Sequence, residues 1–150
     1  MLRQTFKPAC AVVFAGIVLL LQSFTVNRGT DVFEIYLNNK LLLQQAASKS
    51  FTPQSLQLNK SNINDELVIY YNHCGESGKH RSIAIRDDKG NTIKEWKFAD
   101  ASEVRSAMRI PVKELLQLDK SIAHTGLTIF YSAQQLPKGL NLSGLQLNLS

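Results

Sequence analysis

The densest group of chemically reactive side chains in this sequence lies in residues 72–81, which read Asn-His-Cys-Gly-Glu-Ser-Gly-Lys-His-Arg. His73, Cys74 and His80 are residue types that bind Cu and Zn. Neighbouring residues on a strand point to opposite faces, so His73 and Cys74 can reach one ion only if the loop curls. A Cu or Zn site is therefore one hypothesis for this stretch.

Cys74 suggests a second kind of chemistry. Nearby cations favour the thiolate, which is the reactive form of cysteine, and Lys79, His80 and Arg81 follow within the same loop. A cysteine nucleophile also needs an orienting group and an oxyanion hole, and no family signature for either accompanies it. The competing interpretation is structural: the glycines shape a hairpin loop and Cys74 packs beneath it, as free cysteines commonly do.

The N-terminal segment indicates the compartment in which these residues act. Residues 1–7 are short and basic, and residues 9–21 form an unbroken run of small and apolar side chains. This layout is typical of an export signal. As a helix the run rises about 20 Å, which is short for a hydrocarbon core of roughly 30 Å. We expect residues 1–25 to be a signal peptide or an uncleaved signal-anchor, and residues 26–150 to form one domain.

If residues 1–25 are an export signal, the exported domain has fewer cysteines and a smaller net charge than the whole chain. Cys10 lies in the apolar run, so Cys74 is the single thiol of the domain, and a disulfide framework or a four-cysteine zinc site is excluded. The chain has 17 Lys and Arg against 12 Asp and Glu. Without Arg3 and Lys7, 15 basic residues remain against 12 acidic ones, a net charge of +3. That charge is weak evidence for a nucleic acid ligand.

After residue 30 the sequence consists of short alternating segments separated by turn residues, which is typical of β-strands. Asn38-Asn39 and residues 87–91 predict tight turns, and Pro111 predicts a short helix near 111–118. The alternation slips at Ser143-Gly144, where a bulge would keep the leucines on the buried face. The predicted strands are 32–37, 40–45, 55–58, 67–72, 81–86, 92–98, 108–110, 127–132 and 140–149.

This pattern predicts an all-β fold: an antiparallel β-sandwich of immunoglobulin-like size with one short helix, preceded by an apolar signal or anchor helix. A small β-barrel is the alternative. Leu56-Gln-Leu-Asn recurs at Leu145, which we interpret as two similar core strands rather than as a repeat.

Basic residues are concentrated between Lys79 and Lys97. Within this stretch Lys79, Arg81 and Arg86 are candidates for a patch that binds an acidic polysaccharide or a partner protein. Aromatic side chains that could stack on sugars occupy strand positions that favour core packing instead. These aromatic residues are Tyr70, Tyr71 and Trp96.

The sequence contains no complete set of catalytic residues. The hydrolase motif Gly-x-Ser-x-Gly and the metalloprotease motif His-Glu-x-x-His are both absent from it. We therefore expect an exported protein, periplasmic or extracellular, that acts as a non-catalytic binding or accessory protein and needs no cofactor. The alternative is a metal-binding or thiol-redox accessory protein that uses the loop with His73, Cys74 and His80, and in the metal-binding case the ion would be Cu or Zn. The expected partner is a protein or a polysaccharide and not a nucleic acid. Contact with a membrane is expected only through residues 9–26, if they stay uncleaved.

Overall fold

The computed structural model describes residues 29–48, 52–118 and 125–149. This part of the chain contains nine strands, a short helix and a 3₁₀ turn at Lys60–Asn62. The helix α1 spans Val112–Leu116. The strands are β1 (Val32–Leu37), β2 (Lys40–Ala46), β3 (Ser55–Asn59), β4 (Glu66–Asn72), β5 (Ser82–Arg86), β6 (Thr92–Lys97), β7 (Met108–Pro111), β8 (Leu127–Ala133) and β9 (Leu136–Asn148).

The strands form two sheets that enclose one apolar core. The four-stranded sheet has the order β2-β1-β4-β7, and the five-stranded sheet has the order β3-β9-β8-β5-β6. Both sheets contribute buried side chains to the same hydrophobic cluster. The predicted all-β, sandwich-like fold is thus confirmed, and the described strands do not close into a barrel.

Alternation along each strand decides which side chains enter the core. In β4, Leu67, Ile69 and Tyr71 are buried in the cluster, whereas the residues between them point away from it. Fully burying an aliphatic or aromatic side chain of this size contributes about 1.5–3 kcal/mol. The same alternation places every second residue of β1 and β4 on the outer face of the four-stranded sheet.

One strand pair departs from the predicted antiparallel arrangement. β3 runs parallel to β9, with Leu56 opposite Leu145 and Leu58 opposite Leu147. The two Leu-Gln-Leu-Asn segments therefore lie side by side in register, and their leucines enter the core together. Hydrophobic alternation specifies that both segments are strands, but it does not specify the direction in which they pair.

The end of the chain contains the predicted irregularity, one residue earlier than expected. β9 shifts register against β8 between Ile129 and Phe130, and Leu142 and Ser143 are both buried as a result. Such a bulge lets Leu142, Leu145 and Leu147 share the core side. The phase slip in the sequence is therefore a genuine bulge.

The short helix begins one residue later than predicted. Pro111 is the last residue of β7 and precedes α1, which starts at Val112. The predicted signal or anchor helix at residues 1–25 lies outside the described residues. In the ranges that the structure covers, no helix is long and apolar enough to cross a membrane.

Candidate functional site

The structure separates His73 from Cys74, as alternation at a strand end requires. His73 is 4% exposed, whereas the Cys74 side chain lies at the surface. The expectation that Cys74 is buried was wrong, because the inward position belongs to the neighbouring imidazole. Cys74 packs beside Gly29, where an added Cβ would lie 2.6 Å from its Sγ.

The buried imidazole of His73 has a partner at each ring nitrogen. Nδ1 lies 3.3 Å from Oδ2 of Asp31, and Nε2 lies 2.8 Å from the Tyr131 hydroxyl. A carboxylate only accepts hydrogen bonds, so the neutral ring donates from Nδ1 and accepts at Nε2. Asp31 also accepts from the Tyr71 hydroxyl at 3.1 Å and from the backbone N–H of Cys74 at 3.1 Å. The cluster ties the start of the domain to the end of β4.

The inner members of this cluster are buried, and the Asp31 side chain is 28% exposed. Tyr131 has no exposed surface, and its ring stacks on Tyr71 with centroids 4.2 Å apart. His80 is exposed and has a positive φ, and its backbone N–H donates to Asp100. Among the residues that the structure describes, no three His, Cys, Asp or Glu side chains are placed to hold a metal ion together. The geometry of His73 is that of a buried residue whose hydrogen bonds stabilise the fold.

Burial lowers the pKa of His73, although the nearby carboxylate of Asp31 opposes the shift. The same burial raises the pKa of Tyr131, so its phenol stays protonated. In the unfolded chain a histidine has an ordinary pKa of about 6.5. Below that pH the unfolded chain takes up a proton more readily than the folded one, so acidification favours unfolding.

We therefore expect the free energy of unfolding to fall as the pH drops from about 6.5, by at most about 1.4 kcal/mol per pH unit. Urea unfolding at pH 7.5, 6.5 and 5.5 measures this slope in a range above the ordinary pKa of carboxyl groups. The His73→Gln variant removes the imidazole and should flatten the slope. Equal slopes in the two proteins would show that another group is responsible.

The three basic residues proposed for a binding patch lie in different surroundings. Lys79 is exposed in the loop before β5. Arg86 is half-buried, with its guanidinium carbon 3.3 Å from the centroid of the Phe130 ring. Arg81 is 5% exposed and lies inside the protein. The structure does not present these side chains together as one exposed patch.

Arg81 instead holds one of the loops that connect the two sheets. Its Nε and Nη2 donate to the carbonyl of Ala99 at 3.0 and 2.9 Å, and its Nη1 donates to the carbonyl of Ser106 at 2.8 Å. Residues 98–107 lead from β6 in the five-stranded sheet to β7 in the four-stranded sheet. A further hydrogen bond, from Ala101 N–H to the carbonyl of Gly78, closes this crossover loop onto the loop before β5.

The crossover loop places Arg105 on the outer face of the four-stranded sheet. The guanidinium of Arg105 lies 4.2 Å from the Tyr70 ring centroid, and its Nη2 donates to Glu34 and to the Tyr36 hydroxyl. The Tyr36 and Tyr70 rings meet edge to face with centroids 5.7 Å apart. We call this surface the arginine–tyrosine face. Its members are Glu34, Tyr36, Glu66, Tyr70, Arg105 and Arg109.

Two shallow recesses flank the ridge formed by Tyr70 and Arg105. The larger has a volume of about 180 Å³, and its lining includes Val68, which is only 2% exposed. Arg109 borders this recess and donates from Nη1 to Glu66 at 2.6 Å. Hydrogen bonds to Glu34 and Glu66 raise the pKa values of Arg105 and Arg109, so both guanidinium groups keep their charge.

Sequence reasoning missed this face for two reasons. Tyr70 was interpreted as a core residue because strong strand formers surround it, but alternation with the buried Tyr71 places it outside. That signal was available in the sequence. Arg105 comes from an irregular loop, and no local pattern indicates which sheet it will contact.

Comparison with known proteins adds no assignment for this site. No model of a known protein family matches the sequence, and no curated protein is significantly similar to it.

Proposed function

We propose that this protein is an exported, non-catalytic binding domain that holds a neutral polysaccharide on the arginine–tyrosine face. The export part of the proposal depends on the sequence of residues 1–25. The binding part depends on one observation: the face combines tyrosine rings with charged groups that cancel one another.

The balance of charge favours a ligand without net charge. Arg105 is paired with Glu34, and Arg109 is paired with Glu66. An anionic ligand would meet two carboxylates as well as two guanidinium groups, so it would gain little from Coulomb attraction. Hydroxyl groups both donate and accept hydrogen bonds, so they can accept from the guanidinium groups of the face without bringing a net charge.

The exposure of these groups leaves hydrogen-bonding capacity for a ligand. The side chains of Arg105 and Arg109 are 55% and 56% exposed. Each guanidinium carries five N–H donors, and only one nitrogen of each takes part in the contacts described above. Tyr36 and Tyr70 are half-buried and Arg105 lies over the Tyr70 ring, so the two tyrosines offer a sugar ring only part of their apolar surface, beside these donors. The two recesses lie on both sides of the central ridge, so an extended ligand that crosses the ridge would contact both.

The proposal is tested by measuring the binding of neutral gluco-, manno-, galacto- and xylo-oligosaccharides to the purified protein by calorimetry. We expect Tyr70→Ala and Arg105→Ala each to weaken the best of these by at least about tenfold, which is about 1.4 kcal/mol. Arg86→Ala is the matched control, because Arg86 stacks on Phe130 on the opposite sheet. That variant should bind like the wild type.

Four other results of these binding measurements would contradict the proposal in whole or in part. Absence of binding to any neutral saccharide would overturn the polysaccharide assignment. Binding that is lost equally in the Arg86→Ala control would place the ligand elsewhere. Affinity for acidic polysaccharides alone, falling steeply with salt, would indicate an ion-pairing mechanism instead. Binding of a protein partner that is lost in Tyr70→Ala would confirm that the arginine–tyrosine face is a binding surface, but would show that its ligand is a protein and not a polysaccharide.

A further inference from the structure

The two open sheets have four outer edges, formed by β2, β7, β3 and β6. An edge strand carries unpaired backbone N–H and C=O groups, and proteins commonly protect such edges with charges, proline or bulges. Strand β6 carries Lys94, Glu95 and Lys97. These charges protect the β6 edge of the five-stranded sheet.

The other sheet protects both of its edges. Strand β7 is only four residues long and includes Arg109 and Pro111. Strand β2 begins with Lys40, and its pairing with β1 shifts register between Ile35 and Tyr36. Each of these edges has at least one feature that discourages the addition of another strand.

Strand β3 has no charge, proline or bulge, although the short helix α1 packs near it. Its sequence is Ser-Leu-Gln-Leu-Asn, without a charge or a proline, and its register with β9 is unbroken over all five residues. In the described ranges β3 pairs with β9 alone. Leu56 and Leu58 point into the core, while Ser55, Gln57 and Asn59 are exposed. The edge strand is thus regular and uncharged, with one face of side chains buried and the other exposed.

The paired side of β3 shows which strand this sequence accepts. The strand that pairs with β3 is the identical tetrapeptide of β9. The Nε2 of Gln57 donates to Oε1 of Gln146 at 3.2 Å. Neutral amide side chains on neighbouring strands form such ladders readily. A second copy of β3 has the same neutral residues and brings a glutamine to the free side, although it would approach in the opposite direction to β9.

We propose that the free edge of β3 pairs with β3 of a second copy of this chain. Two free edges can meet only through a two-fold axis. An axis perpendicular to the sheet keeps Leu56 and Leu58 of both copies on the core side and makes the two strands antiparallel. Gln57 then lies opposite the partner's Gln57 at the centre of a continuous ten-stranded sheet.

The charges near this edge are compatible with such a pair. With Gln57 at the centre, Ser55 lies opposite the partner's Asn59, and both residues are neutral. Lys60 of each copy falls beyond opposite ends of the pair, so the two ammonium groups are far apart. Five residues per strand bury less area than a stable dimer needs. We therefore expect reversible association with a Kd in the micromolar range or weaker.

Sedimentation velocity of the purified full chain over a wide concentration range tests the proposal. Gln57→Lys places like charges opposite each other at the two-fold axis and should weaken association at least tenfold. Gln146→Lys is the matched control, because Gln146 lies on the same face of the adjacent inner strand. That variant also loses the Gln57–Gln146 hydrogen bond but leaves the edge neutral, so it should still associate.

A second measurement keeps the test independent of folding. Protection of the β3 backbone amides from hydrogen exchange should rise with concentration in the wild type and in Gln146→Lys, but not in Gln57→Lys. A wild type that stays monomeric, or two variants that associate equally, would overturn the proposal. The polysaccharide proposal concerns the other sheet and survives either result.

Discussion

The Arg81→Met variant is expected to lose about 3 kcal/mol of unfolding free energy. Three guanidinium nitrogens of Arg81 donate to the carbonyls of Ala99 and Ser106, and methionine replaces the stem without the donors. Hydrogen bonds from a charged donor contribute more than neutral ones. The carbonyls left behind lie in the crossover loop, so this loop should open first. Urea unfolding measures the loss, and hydrogen exchange of the Ala101 amide reports the loop.

Arg86→Met is the matched control for this prediction. Arg86 belongs to β5, which begins directly after Arg81, and its guanidinium stacks on Phe130. We expect that control to lose about 1 kcal/mol, the usual size of a cation–π contact. Arg81→Met should also weaken ligand binding, because Arg105 is carried by the loop that Arg81 holds. Similar losses and similar Ala101 exchange in the two variants would contradict the role given to Arg81.

The Gly139→Ala variant is expected to lose about 2–5 kcal/mol of unfolding free energy. Gly139 has a φ of 64°, where an alanine costs about 1–2 kcal/mol. An added Cβ would also lie 1.9 Å from Cζ of Phe130 and 2.4 Å from its Cε1. The ring cannot withdraw freely, because Arg86 packs over it. Overpacking of this kind adds typically about 1–3 kcal/mol, and thermal and urea unfolding measure the sum.

Gly90→Ala separates the backbone effect from the steric effect. Gly90 has a φ of 83°, and nothing lies within 4 Å of an added Cβ. That variant should lose only the backbone contribution of about 1–2 kcal/mol. Combining Gly139→Ala with Phe130→Leu should cost less than the sum of the two single losses, because the shorter side chain relieves the clash. Additive losses, or equal losses at both glycines, would show that Phe130 is not the obstacle.

Local chemistry predicted much of this fold. Alternation located the strands near their observed bounds, and turn residues located the hairpins, with Asn38 and Gly90 in the positive-φ region. The phase slip in the leucines predicted the bulge of β9. These features depend on neighbours in sequence, which is why a sequence pattern contains them. The parallel pairing of β3 with β9 depends on the route of the whole chain, and no local pattern specifies it.

The candidate site was predicted less well, because its parts come from distant segments. A charged residue at position 81 is normally expected at the surface. Arg81 is buried because carbonyls from the crossover loop satisfy its donors, and those carbonyls lie 18 and 25 residues away. Arg105 and Glu34 are 71 residues apart. Tyr70 alone was within reach of sequence reasoning, through its alternation with Tyr71.

The pairing of two identical tetrapeptides within one chain has a consequence for how cleanly the chain folds. Segments tethered in one chain meet at an effective concentration that the length of the intervening chain sets, whereas the same segment on another chain is present only at the protein concentration. In dilute solution β9 therefore pairs with β3 of its own chain. As the concentration of unfolded chains approaches the tethered value, a foreign Leu-Gln-Leu-Asn segment competes on equal chemical terms. The sequence of this edge thus sets an upper concentration for efficient refolding.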